Sequence, residues 1–306
     1  MKKNPIVGVV ALFILASVGA WVFRALQPRY RLTQATINLP PGASFSANPA
    51  QFSVSPDGQN LALNLKSADG VRIWIWRLDG ADAGPIAGTE GVTSLPVWSP
   101  DGKNIAFVSD GHLRRIPVAG GRVETICLLD AGGTFDWGDD ETILLAGGGI
   151  EPVRRVAATA GDTIRQITRL NPGERHAFPK FIPGVRRFFF FVQADALRAG
   201  VWVGSLEGGT ALRLLPGAVT ATVAADLLVY SVEQLVVAQR FDAATVEFSG
   251  VPVTLADDVR KDPESGRLAY SVSTSASAAR PILVFQRDSD GSLHMMGGWP
   301  GLLDGK

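Results

Sequence analysis

The chain has 306 residues, enough to bury one large core or two small ones, and a formal net charge of +0 that gives no electrostatic reason to expect nucleic acid as a main partner. With 34 glycines, 19 prolines and 19% charged residues, the composition argues against a helical bundle and for a fold that turns often, as all-β domains do. The lone cysteine, Cys127, excludes an intrachain disulfide; it lies in the apolar run 123–129 and reads as a small core residue.

The first element is apolar. Residues 5–23 carry no charged side chain, and a stretch of about nineteen residues at 1.5 Å each is enough to span a hydrocarbon core of roughly 30 Å. Lys2 and Lys3 precede it, Arg24, Arg29 and Arg31 follow it, and Trp21 stands near its far end, where interfacial aromatics concentrate. A signal anchor and a cleaved signal peptide both fit, since Val18-Gly19-Ala20 offers a small-residue cleavage site. The apolar stretch continues past that site through Phe23, which favours the anchor. A core helix is disfavoured by the lack of any polar face. Basic residues on both flanks leave the orientation open. The expected layout is a membrane anchor over 1–29 (helix about 5–23), an extended linker over 30–50, a repeat domain over 51–299 and a tail over 300–306.

Beyond the linker the chain repeats itself. Phe52-Ser53-Val54 runs into the turn Ser55-Pro56-Asp57-Gly58 and then a second apolar strand; Val97-Trp98 runs into Ser99-Pro100-Asp101-Gly102 and does the same. The chemistry suits a tight hairpin: proline presets φ, serine and aspartate bond locally to the backbone, and glycine takes the position that wants φ > 0. The two copies lie 44 residues apart (Ser55 to Ser99), a propeller-blade spacing. Weaker copies follow at 135–140 and 179–184, each leading into an apolar strand, then a third strand and a fourth. Short strands in a meander, repeated in this way, predict an all-β, six-bladed β-propeller. Its units begin near Gln51, Gly91, Gly132, His176, Val219 and Val259. The sixth lacks an innermost strand in this reading, because 259–266 is polar and charged. A ring must protect its edges, and the β-prone segment 30–39 can supply a closing strand to the last blade.

These features resemble the TolB-type, WD40-like propeller repeats of bacterial proteins. More narrowly, the order of an apolar span, Leu39-Pro40-Pro41-Gly42, the run 52–58, Arg77-Leu78-Asp79-Gly80, the run 97–107, Leu206-Glu207-Gly208-Gly209 and the late run 236–254 is similar to the extracytoplasmic region of bacterial transmembrane serine/threonine protein kinases. That resemblance implies a propeller on the periplasmic side of the inner membrane, acting as the sensor part of a kinase-type signalling system. The kinase domain itself has no counterpart: no Gly-rich phosphate loop, His-Arg-Asp or Asp-Phe-Gly appears in the sequence.

Chemistry is hard to find. A prolyl-oligopeptidase-type hydrolase would need a Gly-x-Ser-x-Gly elbow, which is absent. His112, His176 and His294 fall in different units without metal-ligand spacing and read as turn or surface residues. Asp57, Asp101, Asp139 and Asp140 read as turn formers, because the dense Asp/Asn loops of a calcium site are missing. Trp98 and Trp137 hold equivalent positions and predict packing between neighbouring blades; the run 188–191, four phenylalanines, predicts a strand buried on both faces. The sequence therefore leads to a non-enzymatic, membrane-tethered module that uses no cofactor or metal and binds a protein, peptide or small ligand. The alternatives are a propeller hydrolase or lactonase with a site in the central channel, and a remnant of a split transmembrane kinase.

Overall fold

A computed structural model describes residues 33–80, 83–129, 132–159, 163–274 and 281–297. The predicted membrane span and the tail 300–306 lie outside the described residues. Among the described residues no helix is long and apolar enough to cross a membrane.

The repeated turn is the local device that starts a blade. In the first copy Gly58 N–H donates to Ser55 O at 2.9 Å, and Ser55 Oγ accepts from Asn60 N–H at 2.9 Å while donating to Asp57 Oδ1 at 2.5 Å. The second copy repeats the pattern, with Gly102 N–H on Ser99 O at 2.9 Å and Ser99 Oγ on Asp101 Oδ1 at 2.6 Å. Gly58 and Gly102 sit at φ 73 and 70, where an L side chain is strained.

Six antiparallel sheets follow one another along the chain. Blade 2 contains Val97–Trp98, Asn104–Ser109, His112–Pro117 and Glu124–Leu128; blade 3 contains Thr134–Trp137, Thr142–Ala146, Arg154–Ala157 and Arg165–Gln166. Blade 4 contains Arg175–Phe181, Arg187–Gln193, Gly200–Ser205 and Leu212–Pro216; blade 5 contains Ala221–Ala224, Leu227–Val232, Leu235–Asp242 and Glu247–Ala256. In blade 1 two short strands, Ser44–Phe45 and Phe52–Val54, share one side of Asn60–Ser67, and Gly70–Arg77 and Gly84–Pro85 complete the sheet on the other.

The core is divided among the junctions between blades, and strand periodicity explains how. Side chains alternate faces along a strand, so the second strand of each blade serves two neighbours. In blade 4, Phe188 and Phe190 join Leu144 and Val153 of blade 3, whereas Phe189 joins Val223 and Leu228 of blade 5. All four phenylalanines of the run are at most 9% exposed, as expected for a strand covered on both sides. Trp98 packs against Ala62 and Ile73 of blade 1, and Trp137 against Ala106 and Val108 of blade 2. The Trp98 indole also donates to Ser53 O at 3.0 Å.

Ring closure corrects the expectation for the last blade. Blade 6 has its innermost strand, Tyr270–Val272, followed by Ile282–Gln286 and Leu293–Gly297; the strand it borrows is the outermost one, Thr33–Ile37, antiparallel to Leu293–Gly297. The polar run 259–266 is therefore not a failed inner strand but the loop that precedes it. Side chains reinforce the junction with blade 1: Gln286 Oε1 accepts from Ala50 N–H at 2.8 Å, Ser271 Oγ from Val54 N–H at 3.0 Å, and Arg260 Nη1 donates to Asn48 Oδ1 at 2.7 Å.

Candidate functional site

The N-terminal parts of the innermost strands from all six blades, with the loops leading into them, line a cavity of about 630 Å³ at one mouth of the ring. Gly147 and Gly148 of blade 3 and Phe191 and Gln193 of blade 4 complete its rim. The repeat turns Ser55-Pro56-Asp57-Gly58 and Ser99-Pro100-Asp101-Gly102 follow the other ends of those strands and do not line it. Their serines and aspartates are committed to the turns themselves.

Two charged groups of the cavity are already paired. Asp136, 4% exposed, accepts from Lys180 Nζ at 2.7 Å and from Phe181 N–H at 2.8 Å, so both carboxylate oxygens are engaged across the junction of blades 3 and 4. The strand carrying Lys180 has a bulge between Ala177 and Lys180, with Phe178 at φ 50. Such an irregularity re-aims side chains, and here Phe178 N–H turns to Thr134 Oγ1 of blade 3 at 2.9 Å. Arg175, on the same strand, donates to Gly148 O at 2.6 Å.

The loop before blade 6 supplies the remaining charges. Lys261 pairs with Leu268, closing a hairpin whose tip carries Asp262, Glu264, Ser265 and Arg267 to the cavity. Asp262 Oδ1 accepts from Ser265 N–H at 2.8 Å, Ser265 Oγ at 2.9 Å and Glu264 N–H at 3.0 Å. Burial alone would raise its pKa, but these donors and the Arg267 charge hold it below the usual carboxylate range. Arg267 is half-buried, its guanidinium donates to Leu268 O at 3.4 Å, and among the described residues no carboxylate is within ion-pair distance of it. Burial pulls its pKa down while the Asp262 charge opposes that shift. Beside it, burial pushes the Tyr270 phenol up to about 12, so the hydroxyl stays neutral; it bonds to Thr220 Oγ1 at 3.1 Å. Two further lining hydroxyls, Ser53 Oγ and Thr222 Oγ1, are buried without a hydrogen-bond partner.

The histidines depart from expectation in two cases. His112 begins a strand and bonds through Nδ1 to Asp110 O at 2.7 Å, half-buried at the surface. His176 is only 3% exposed, at the junction of blades 3 and 4, with Thr168 Oγ1 at 2.9 Å and, among the described residues, one carboxylate at ion-pair distance, Glu174 Oε2 at 3.8 Å. Glu174 is itself tied to Asn171 and Arg198. His294 lies within a strand and stacks on Phe285 at 5.6 Å between ring centroids. Among the described residues no three His, Cys, Asp or Glu side chains come together as metal ligands would. Cys127 is half-buried on the outermost strand of blade 2, and burial raises its thiol pKa.

The cavity residues were not singled out from sequence, although two signals were present. Asp136 interrupts the otherwise apolar strand Thr134–Trp137, and the charged run 259–266 is the loop that leads to Arg267. What was missing was the placement of residues from six distant segments around one channel.

No family model matches the chain, and comparison with curated proteins finds no match. Solved structures do resemble it. TolB from Agrobacterium tumefaciens aligns over 81% of this chain and 88% of its own, with 17% identity and a TM-score of 0.55. TolB from Acinetobacter baumannii aligns over 81% of this chain with 12% identity and a TM-score of 0.50; the chain spans about half the length (53%) of that protein. The oligogalacturonate lyase of Vibrio parahaemolyticus aligns over 87% of this chain and 96% of its own, with 10% identity and a TM-score of 0.50. The fold is thus a six-bladed propeller of the TolB type, shared by proteins with and without enzymatic names. At these identities the likeness concerns fold alone.

Proposed function

We propose that this chain is a membrane-tethered, non-catalytic propeller that takes a ligand, either a small molecule or a short segment of a protein or peptide, into the mouth cavity. The observation that carries the reading is the state of the cavity's acids. Asp136 has both oxygens engaged and Asp262 is held by its own loop, so neither is placed as a free general base, and the third lining acid, Glu264, stands exposed to solvent on the hairpin. Convergent polar groups in a cavity of this size serve recognition. The apolar stretch 5–23 supplies the tether, with the propeller on the extracytoplasmic face of the inner membrane. The resemblance to the sensor region of transmembrane kinases extends the reading to signalling.

The test is a topology reporter fused after Lys306, combined with pull-down of the detergent-solubilised chain. The expected result is an extracytoplasmic reporter and a reproducible partner whose retention is lost when the cavity lip is filled by Thr93→Trp. A cytoplasmic reporter refutes the location, and a partner indifferent to the lip variant refutes the cavity. The second reading is an enzyme acting in the channel, favoured by the fold shared with a lyase. Turnover of any substrate that depends on Asp136 or Lys180 would replace the first reading with this one.

A further inference from the structure

We propose that the mouth cavity is a binding site for a small organic carboxylate, held by the Arg267 guanidinium with Arg175 at the rim. The inference rests on the reading of this cavity as a ligand site and names the ligand's chemistry. A guanidinium has five N–H donors and needs acceptors when taken out of water. Arg267 has one long hydrogen bond, to Leu268 O at 3.4 Å, and no carboxylate at ion-pair distance among the described residues. Two of the lining acids have their hydrogen bonds elsewhere: Asp136 with Lys180 and the Phe181 amide, Asp262 with its own loop, from which its charge reaches Arg267 without a direct contact. Arg175 likewise meets a backbone oxygen, Gly148 O, and among the described residues no acid at ion-pair distance. The third lining acid, Glu264, stands exposed on the hairpin and is not at ion-pair distance from either arginine among the described residues, so both guanidinium groups face the cavity with donors to spare.

A second, independent observation points to a ligand with oxygen atoms. Thr222 is 9% exposed, lines the cavity and has a buried hydroxyl without a partner. Such a hydroxyl is costly to leave unmade, and rotation of the Thr222 side chain toward the cavity would let a bound acceptor satisfy it. The planar fork of an arginine matches a carboxylate in a two-point contact. Because the Asp262 charge already offsets part of that of Arg267, the two arginines suit one negative charge better than the two of a phosphate. The cavity volume of about 630 Å³ and the aromatic side chains of Phe178 and Phe191 at its wall favour a compact, partly apolar acid.

The test measures binding of benzoate, its neutral isostere benzamide and inorganic phosphate to the solubilised full chain by calorimetry. Benzoate is expected to bind saturably, at least tenfold more tightly than benzamide and more tightly than phosphate. Arg267→Gln should weaken benzoate at least tenfold without changing the circular dichroism spectrum. Arg267→Lys, which keeps the charge but loses the fork, should fall between the two. Equal binding of benzoate and benzamide, tighter binding of phosphate, no binding of benzoate, or benzoate affinity untouched by Arg267→Gln each overturns the proposal. Thr93→Trp separates the two readings. If it blocks the ring compounds while Arg267→Gln does not, the cavity stands and the carboxylate preference falls; if bound benzoate ignores Thr93→Trp, the cavity reading itself falls.

Discussion

The imidazole of His176 is sealed between two blades, and its protonation is a property of that junction. Burial holds its pKa below the ordinary value, against the opposing pull of Glu174. The unfolded chain, with a histidine pKa of about 6.5, therefore binds a proton that the folded chain resists. Stability from this group is complete above about pH 6.5 and is lost as the pH falls through the lower, folded pKa. His294, also shifted down by burial and by Arg287, adds a slope of the same sign. The thermal midpoint should be flat between about pH 7 and 8 and fall below about pH 6.5, and His176→Gln should remove part of that fall. A midpoint that rises on acidification in this window refutes the assignment. The repeat serine offers a second measurement at this scale. Ser99, 1% exposed, is bonded to Asp101, Asn104 N–H and Asn104 O, so Ser99→Ala should cost about 1–2 kcal/mol in urea unfolding. These turn residues were legible because their chemistry is local: serine, proline, aspartate and glycine act on backbone within five positions. His176 was not legible, because its burial depends on Thr168, Glu174 and Phe190, which the fold brings around it.

Each blade's second strand is the element on which the fold depends most. It alternates its side chains between two junctions, so one truncation opens a void in a core shared with the neighbouring blade. Phe190, 2% exposed and tilted against His176 and Phe188 at centroid distances of 4.8 and 5.6 Å, should lose about 3–5 kcal/mol on Phe190→Ala. Leu212, on the outermost strand of the same blade and 59% exposed, should lose less than about 0.5 kcal/mol on Leu212→Ala. Denaturant midpoints of the two variants check this contrast, and comparable losses would show that the outer strand carries weight the burial pattern denies it. The apolar runs announced these second strands plainly. The outermost strands were harder to bound: Arg165–Gln166 and Gly84–Pro85 are two residues long each. An outer strand is half-solvated and has little apolar signature to read.

At the scale of the whole molecule the ring closes through a strand more than 250 positions away in sequence from its partner. Thr33–Ile37 covers the edge of Leu293–Gly297, with Thr36 opposite His294. Removing residues 33–37 should leave that edge unpaired, and an unpaired edge recruits other strands. The expected outcome is self-association in sedimentation and a midpoint lower by on the order of 5 °C. A monomer that melts at the parent temperature would show that the contacts of Gln286, Ser271 and Arg260 with blade 1 suffice to hold the ring. The same closure gathers the cavity, since Arg267 and Tyr270 of blade 6 face the channel only when the last blade is docked against the first and the fifth.

The sequence by itself determined the repeated hairpin, the number of blades, the double-faced burial of the phenylalanine run and the segment that closes the ring. All of these follow from period-2 patterning and turn chemistry, which act over a few residues and recur at blade spacing. Tertiary structure alone decided which strand of the last blade was borrowed, why the charged run 259–266 is a loop into the channel, and which charges meet there. Asp136 finds Lys180 across 44 positions, and Arg267 has no carboxylate at ion-pair distance among the described residues, because radial repetition brings residues from six segments to one axis. No local pattern records how charges balance around a point that every blade touches only once.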